Sequence, residues 1–80
     1  MTFDVLLFAS YADAFGARSI LVTVPAGSRV ADIVRVLRGL DPDGALPERP
    51  LVAVNHRYAK GDQELHEGDE IAVIPPVAGG

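Results

Sequence analysis

The residues whose types and spacing could support chemistry stand at the end of the chain, in the run Pro75-Pro76-Val77-Ala78-Gly79-Gly80. The two prolines have a fixed φ and no N–H group, so they stop the ladder of a preceding strand and hold the backbone extended. The last four residues carry small side chains or none and can reach about 13 Å beyond the fold at ~3.3 Å each. We therefore predict a narrow tail that carries the Gly80 carboxylate into a slot of another protein, where a Cβ atom would collide. A frayed terminus is the alternative, but it gives no reason for the proline pair.

The rest of the chain offers few groups for catalysis. It has no cysteine, which excludes a disulfide, a thiol nucleophile and a thiolate metal site. His56 and His66 fall in predicted turns, where solvated side chains are commoner than catalytic bases. Asp69 and Glu70 could suggest paired carboxylates, but adjacent strand residues point to opposite faces. We expect the chain to bind no metal and no cofactor and to catalyse nothing alone.

The composition predicts one small domain. Eighty residues with a hydrophobic fraction of 49% can form a compact core. A net charge of −4 argues against nucleic acid as a partner. No apolar stretch approaches the ~20 residues of a membrane span, and the opening residues do not form a signal peptide. We expect a cytoplasmic protein that contacts no membrane.

The apolar pattern predicts five strands and one main helix. The strands are predicted at Thr2 to Phe8, Arg18 to Val24, Leu51 to Val54, Arg57 to Ala59 and Glu70 to Ile74. The helix follows from apolar residues at i, i+3, i+4 and i+7, starting at Val30. Ser28 is predicted as its N-cap and Gly39 as its end. A short helical turn is expected within Ala9 to Gly16, inside the first connection.

This order of elements predicts an α+β fold of the β-grasp type. A mixed sheet of four to five strands would carry the main helix on one face. The first and last strands would lie side by side in the middle, and the crossover helix makes that pair parallel. We predict that the β-grasp domain spans residues 1–76 and that residues 77–80 form an extended C-terminal Gly-Gly tail.

The same strands predict an exposed apolar patch. The first and last strands are apolar at both parities, whereas one helix can cover only one face of the sheet. Leu6 and Phe8 on the first strand, and Ala72 and Ile74 on the last, lie on the opposite parity to Leu7 and Val73. Phe8 and Ile74 should therefore face outward beside the tail, with Tyr58 at the edge, and such a patch usually marks an interface. Alternatively, the segment Ala9 to Gly16 or the segment Leu40 to Pro50 folds over the patch as core.

The chain resembles the ubiquitin-like sulfur carriers of the MoaD/ThiS type, and among them the small subunits of molybdopterin synthases. The resemblance covers the whole chain. It is carried by Val5 to Ala9 (VLLFA), Val52 to Asn55 (VAVN), Leu65 to Ala72 (LHEGDEIA) and the tail PPVAGG. The last two blocks are specific, whereas the first is weak. Ala78 departs from the family, which often has a small hydroxyl residue there, and we expect little consequence.

The resemblance implies that the chain is modified by other enzymes and then donates sulfur to them. An adenylyltransferase similar to the ubiquitin-activating enzymes would use ATP to adenylate Gly80. A sulfur-donating protein would then convert the acyl-adenylate to a thiocarboxylate. The tail, with Val77, Ala78 and Gly79 threading behind Pro75 and Pro76, would enter the active site of the synthase large subunit. There the sulfur would pass to a cyclic pterin precursor in molybdenum cofactor biosynthesis.

The family also implies a docking surface at Phe8, Tyr58 and Ile74, and a heterotetramer of two small and two large subunits. The tail alone leaves other functions open, because related carriers for thiamin, tRNA thiolation and cysteine synthesis also end in Gly-Gly. A ubiquitin-like modifier joined through Gly80 to a lysine is a further alternative. So is an interaction module whose terminus has no role.

Overall fold

A computed structural model describes residues 1–76 of the chain. The predicted tail, residues 77–80, lies outside the described residues. The elements are β1 (Thr2–Leu7), α1 (Ala9–Phe15), β2 (Ser19–Thr23), α2 (Val30–Leu40), β3 (Leu51–Val54), β4 (Arg57–Ala59) and β5 (Ile71–Ile74). The five predicted strands and the main helix are therefore all present, with strand ends that differ by at most one residue from those expected.

The strands form one mixed sheet in the order β2-β1-β5-β3-β4. β1 and β5 are parallel at the centre, with Leu6 opposite Ala72 and Leu7 opposite Val73. The other neighbouring pairs are antiparallel. The chain makes the parallel pair possible by crossing over the sheet between β1 and β5, with α2 on one face. The predicted β-grasp fold is confirmed.

The core lies between α2 and one face of the sheet. Alternate residues of β1 and β5 point toward the helix, and the apolar stripe of α2 meets them. Ile33 and Leu37 on the helix are 0% exposed, as are Val5 and Ile71 on the central strands. Burial of these side chains is the main force that holds the helix against the sheet.

The start of α2 differs from the prediction at Ser28. The N-cap position is Arg29, whose backbone N–H donates to Asp32 Oδ2 at 2.8 Å. The next two N–H groups, of Val30 and Ala31, donate to carbonyl oxygens of residues 63 and 61 at 2.9 Å. Ser28 is buried and its carbonyl accepts from Leu65 N–H at 2.9 Å. Because a distant loop satisfies the helix start, the Ser28 hydroxyl is not needed as a cap.

The end of α2 also differs from the prediction. The helix continues through Gly39 to Leu40, and Asp41 is its C-cap. The Asp41 carboxylate accepts from Leu46 N–H at 2.7 Å, which turns the chain away after the helix. Gly39 lies in an exposed part of the last turn, where glycine costs only about 1 kcal/mol relative to alanine. Asp41 has extended backbone and directly precedes Pro42, which disfavours the helical conformation at that position, so the helix ends at Leu40 and not at the glycine.

The short helix α1 is present where the sequence predicted a helical turn. Gly16 ends it in the left-handed conformation, with a φ of 67°. Tyr11 on α1 is buried in the core, and so is Leu46 from the long connection between α2 and β3. Both connecting segments thus add an apolar side chain to the same core.

Candidate functional site

The sheet face opposite α2 carries a row of apolar residues across four strands. Leu6 on β1 lies opposite Ala72 on β5, which lies opposite Ala53 on β3, which lies opposite Tyr58 on β4. Residues in register on neighbouring strands point to the same face, so these four side chains form one line. The two residues at the centre of this line are alanines with small side chains, and the two at its ends have larger side chains. The surface is therefore concave in the middle of the line.

A second, parallel row adds to this surface. Ile74 at the end of β5 lies opposite Leu51 on β3, and Phe8 directly follows β1 on the same parity as Leu6. We call the two rows together the open-face patch: Leu6, Phe8, Leu51, Ala53, Tyr58, Ala72 and Ile74. A depression of about 330 Å³ lies in it, bordered also by His56 and Glu70. Such a contiguous apolar surface on a small domain is typical of a protein-binding site.

The structure brings together the three residues predicted to face a partner. Phe8 is 47% exposed and Tyr58 is 73% exposed, while Ile74 is half-buried between them. The alternative, that a connecting segment covers the patch, does not occur, because Tyr11 and Leu46 point into the core instead. That these residues bind a partner stays a prediction.

Sequence reasoning missed two members of the patch, Leu51 and Ala53. Both belong to β3, which was predicted with the correct bounds, and their parity opposite to Val52 and Val54 was the available signal. In the sequence, Ala53 stands between two valines, and this apolar run gives no sign that the alanine points away from the core. Only its register opposite Ala72 shows that it forms the bottom of a depression.

The chain leaves the sheet at the edge of the patch. β5 ends at Ile74 and the two prolines follow, as the sequence predicted. Pro75 is partly buried and Pro76 is exposed. The predicted tail residues Val77, Ala78, Gly79 and Gly80 lie outside the described residues, so their role is argued below as a proposal.

A hydrogen-bond network supports the polar side of the patch. Asn55 and His56 form the tight turn between β3 and β4, with φ values of 52° and 69°. The Asn55 side chain donates to Asp69 Oδ1 at 2.9 Å and accepts from Glu70 N–H at 2.9 Å. His56 Nε2 lies 2.9 Å from Glu70 Oε1. The turn is thereby tied to the start of β5.

The two neighbouring carboxylates of this network have different partners. Asp69 Oδ2 accepts from His66 N–H at 2.8 Å, while Glu70 faces His56. The His66 N–H, followed by the Asn55 amide, lowers the pKa of Asp69 below its ordinary value of 3.8. Asp69 is thus held as a charged hydrogen-bond acceptor, a structural role.

Within residues 1–76, no group of three or more His, Asp and Glu side chains is arranged to hold a metal ion. His56 and His66 are both exposed in turns, as predicted. In the described part of the chain, no helix has the length and apolar character needed to cross a membrane.

Together, the fold and the open-face patch define a ubiquitin-like β-grasp protein with one uncovered apolar face beside its C-terminal exit. Its sequence matches the ThiS family over residues 5–80, and the chain belongs to that family. The resemblance to carriers of the MoaD/ThiS type is thereby confirmed.

Two curated relatives match almost the whole chain. The molybdopterin synthase sulfur carrier subunit of Dictyostelium discoideum is 37% identical over 82 residues, covering 98% of this chain and 95% of that protein. The small archaeal modifier protein 1 of Haloferax volcanii is 34% identical over 83 residues, covering 92% and 95%.

Solved structures share the fold. The crystal structure of the same Haloferax volcanii protein is similar with a TM-score of 0.83 and 31% identity, covering 100% of both chains. A chain from the complex of subunits 1 and 2 of the molybdopterin-converting factor of Helicobacter pylori is similar with a TM-score of 0.70, also over 100% of both chains. Its identity is 19%, so this second likeness shows the fold alone.

Proposed function

We propose that this chain is the sulfur carrier subunit of a molybdopterin synthase and that Gly80 carries the sulfur as a thiocarboxylate. The observation that carries the proposal is the position of the open-face patch, which continues through Ile74 to the proline pair where the chain leaves the sheet. A partner that covers the patch would sit directly beside the tail. The 37% identity to a molybdopterin synthase sulfur carrier subunit supports the same function.

The chemistry begins at a poor electrophile, the Gly80 carboxylate. An activating enzyme joins it to AMP and releases pyrophosphate from ATP. Hydrosulfide then adds to the acyl carbon, a proton and AMP leave, and the C–S bond of the thiocarboxylate remains; where a donor protein supplies the sulfur as a persulfide, a thiol reductant cleaves the resulting acyl disulfide and releases the thiocarboxylate. In the synthase, the thiocarboxylate sulfur bonds to a carbon of the cyclic pterin precursor as an oxygen substituent leaves that carbon, and hydrolysis of the intermediate thioester leaves the sulfur on the pterin and returns the Gly80 carboxylate. ATP, bases and substrate-binding groups belong to the partners in this scheme.

The contribution of this chain is positioning. The rigid prolines and the small side chains of residues 77–80 set how far Gly80 reaches, and the docked patch sets the direction. The larger partner is the synthase large subunit, in the heterotetramer of two small and two large subunits that the family implies. The 37% identity to the sulfur carrier subunit of a molybdopterin synthase supports a partner of this kind.

A second candidate function is protein modification through Gly80. The likeness to small archaeal modifier protein 1 favours it, at 34% identity and a TM-score of 0.83. In that case the activated carboxyl carbon would form an isopeptide bond with a lysine amine of a target, and no sulfur would be passed to a pterin. Carriers for thiamin, tRNA thiolation or cysteine synthesis would share the thiocarboxylate and differ only in its acceptor.

The test is the intact mass of the protein after incubation with its adenylyltransferase, ATP and sulfide. We expect a gain equal to the replacement of one oxygen atom by sulfur, located at Gly80 by fragmentation. Loss of that sulfur on addition of the large subunit and the pterin precursor would identify the acceptor. A protein that gains no sulfur with an active enzyme, and instead forms lysine-linked products, would overturn the proposal in favour of the modifier.

A further inference from the structure

A larger groove lies on the helix side of the sheet, away from the open-face patch. It has a volume of about 840 Å³ and runs between α2 and the β3–β4 edge of the sheet. Its apolar floor includes Val34 on α2, Val52 on β3 and Ala59 at the end of β4. Val52 and Ala53 are adjacent on a strand, so the groove and the patch are on opposite faces.

The groove is positively charged in a negatively charged protein. Four of the seven Lys and Arg residues of the chain line it, together with two of the eleven Asp and Glu residues. Four positive and two negative groups give the groove a formal charge of +2, whereas the rest of the chain, with three positive and nine negative groups, carries −6. A local charge of the opposite sign to the rest of the surface attracts an anionic partner to this site.

Three of these cations have no partner in the described part of the chain. Arg38, Arg49 and Lys60 make no ion pair and no side-chain hydrogen bond within residues 1–76. Arg35 differs, because its Nη1 lies 2.8 Å from Asp32 Oδ1. The rim of the groove is therefore available to bind carboxylates from outside, and its floor is available to an apolar side chain between them.

We propose that this groove is a second docking site, which binds an acidic segment of a partner protein with an apolar residue between its carboxylates. The rim cations pair with the carboxylates, and the apolar residue lies against Val34 and Ala59. Because the patch and the groove are on opposite faces, one protein can hold the carrier at the groove while another occupies the patch. This goes beyond the proposed sulfur chemistry and does not depend on it.

The test uses the full chain and a fluorescein-labelled peptide of sequence EEDEIVDEDE, followed by fluorescence anisotropy. We expect binding that weakens as salt is added, and amide NMR shifts at Val34, Val52 and Ala59. Arg38→Glu and Lys60→Glu should each weaken binding about five- to tenfold, because a surface cation is replaced by a repelling charge. Arg38→Gln removes the charge without reversing it and should weaken peptide binding less. This variant replaces Arg38→Glu in the test if the reversed charge disturbs α2.

Two matched controls make the test specific. Arg18→Glu changes the net charge equally outside the groove and should weaken binding less than about twofold. Phe8→Asp alters the open-face patch and should leave peptide affinity unchanged. Equal weakening by Arg18→Glu, shifts confined to the patch, or no peptide binding at low salt would each overturn the proposal. The proposal would also be overturned if pyrophosphate displaced the peptide and bound as tightly as the peptide does, because the groove would then be a site for small anions.

Discussion

At the scale of single residues, Asn55 joins two elements of the open-face patch. Its φ of 52° lies in the left-handed region, which asparagine tolerates better than most residues. Its backbone N–H donates to Glu70 carbonyl at 2.8 Å, and its side chain makes two further hydrogen bonds to residues 69 and 70. One residue thus provides both the backbone conformation of the β3–β4 turn and its attachment to β5.

These two roles can be separated by two substitutions of Asn55. Asn55→Ala loses the side-chain hydrogen bonds and places a Cβ at positive φ, so the free energy of unfolding should fall by about 2–3 kcal/mol. Asn55→Gly loses the same hydrogen bonds without that strain and should be about 1 kcal/mol more stable than the alanine variant. Urea unfolding measures both. Equal stabilities would show that the positive φ has no energetic cost here.

At the scale of elements, the sheet has one face for the core and one for a partner. Phe8→Asp should leave the fold intact but weaken binding to the synthase large subunit by about thirtyfold or more, since it places a charge within an apolar interface. Leu40→Asp is the matched control, because Leu40 is 55% exposed at the end of α2, on the other side of the sheet from the patch. Isothermal titration calorimetry compares the affinities of the two variants for the large subunit. Similar losses for both variants would contradict a specific patch.

The helix α2 allows a second comparison between buried and exposed positions. Leu37 is 0% exposed and Val36 is 36% exposed, one residue apart on the same helix. Leu37→Ala should lower the free energy of unfolding by about 3 kcal/mol through lost burial and the cavity it leaves. Val36→Ala should change it by less than about 0.5 kcal/mol. Thermal and urea unfolding would check both values, and a large effect of Val36→Ala would mean that the helix packs differently.

At the scale of the whole molecule, several separated carboxylates make stability depend on pH. Backbone N–H groups lower the pKa of Asp69, chiefly that of His66, and the pKa of Asp41, chiefly that of Leu46. A carboxylate with a lowered pKa in the folded state contributes stability that is fully present above the unfolded pKa. That stability is lost as the pH falls through the folded pKa. The protein should therefore be stable near neutral pH and lose stability below about pH 4.

Asp69→Asn tests this dependence. The amide keeps an acceptor but cannot be protonated in this range, so the variant should be less stable than the native chain at neutral pH, and the gap should close in acid. Asp4→Asn is the control, since Asp4 is exposed and its side chain makes no hydrogen bond within residues 1–76. Urea unfolding at a series of pH values measures the difference in the free energy of unfolding between each variant and the native chain. A gap that is constant with pH would contradict the role given to this carboxylate.

The whole molecule also sets the depth that Gly80 reaches in a partner. One residue appended after Gly80 should block adenylation, because the reacting carboxylate would move beyond the catalytic site by about 3 Å. Pyrophosphate release with the activating enzyme measures this. Binding of the extended chain through the open-face patch should persist, which separates docking from chemistry. Normal adenylation of the extended chain would contradict the tail model.

The sequence alone predicted the elements and the face that the apolar residues of β1, β5 and α2 occupy. Alternation along β1 and β5 and the stripe on α2 are local patterns, and the proline pair ends β5 whatever lies beside it. The outward parity of Phe8 and Ile74 follows from the same periodicity. The positive φ at Asn55 was also predictable, because it depends on the side chain of that residue and its neighbours in a tight turn.

The tertiary structure decided what depends on contacts between distant segments. The start of α2 is capped by carbonyl groups of residues 61 and 63, so Ser28 is not the N-cap. Ala53 and Ala72 meet opposite each other and make the depression of the patch. The cationic groove exists because α2 and the β3–β4 edge approach each other. Register and packing set these features, and neither is encoded in the local periodicity of a single segment.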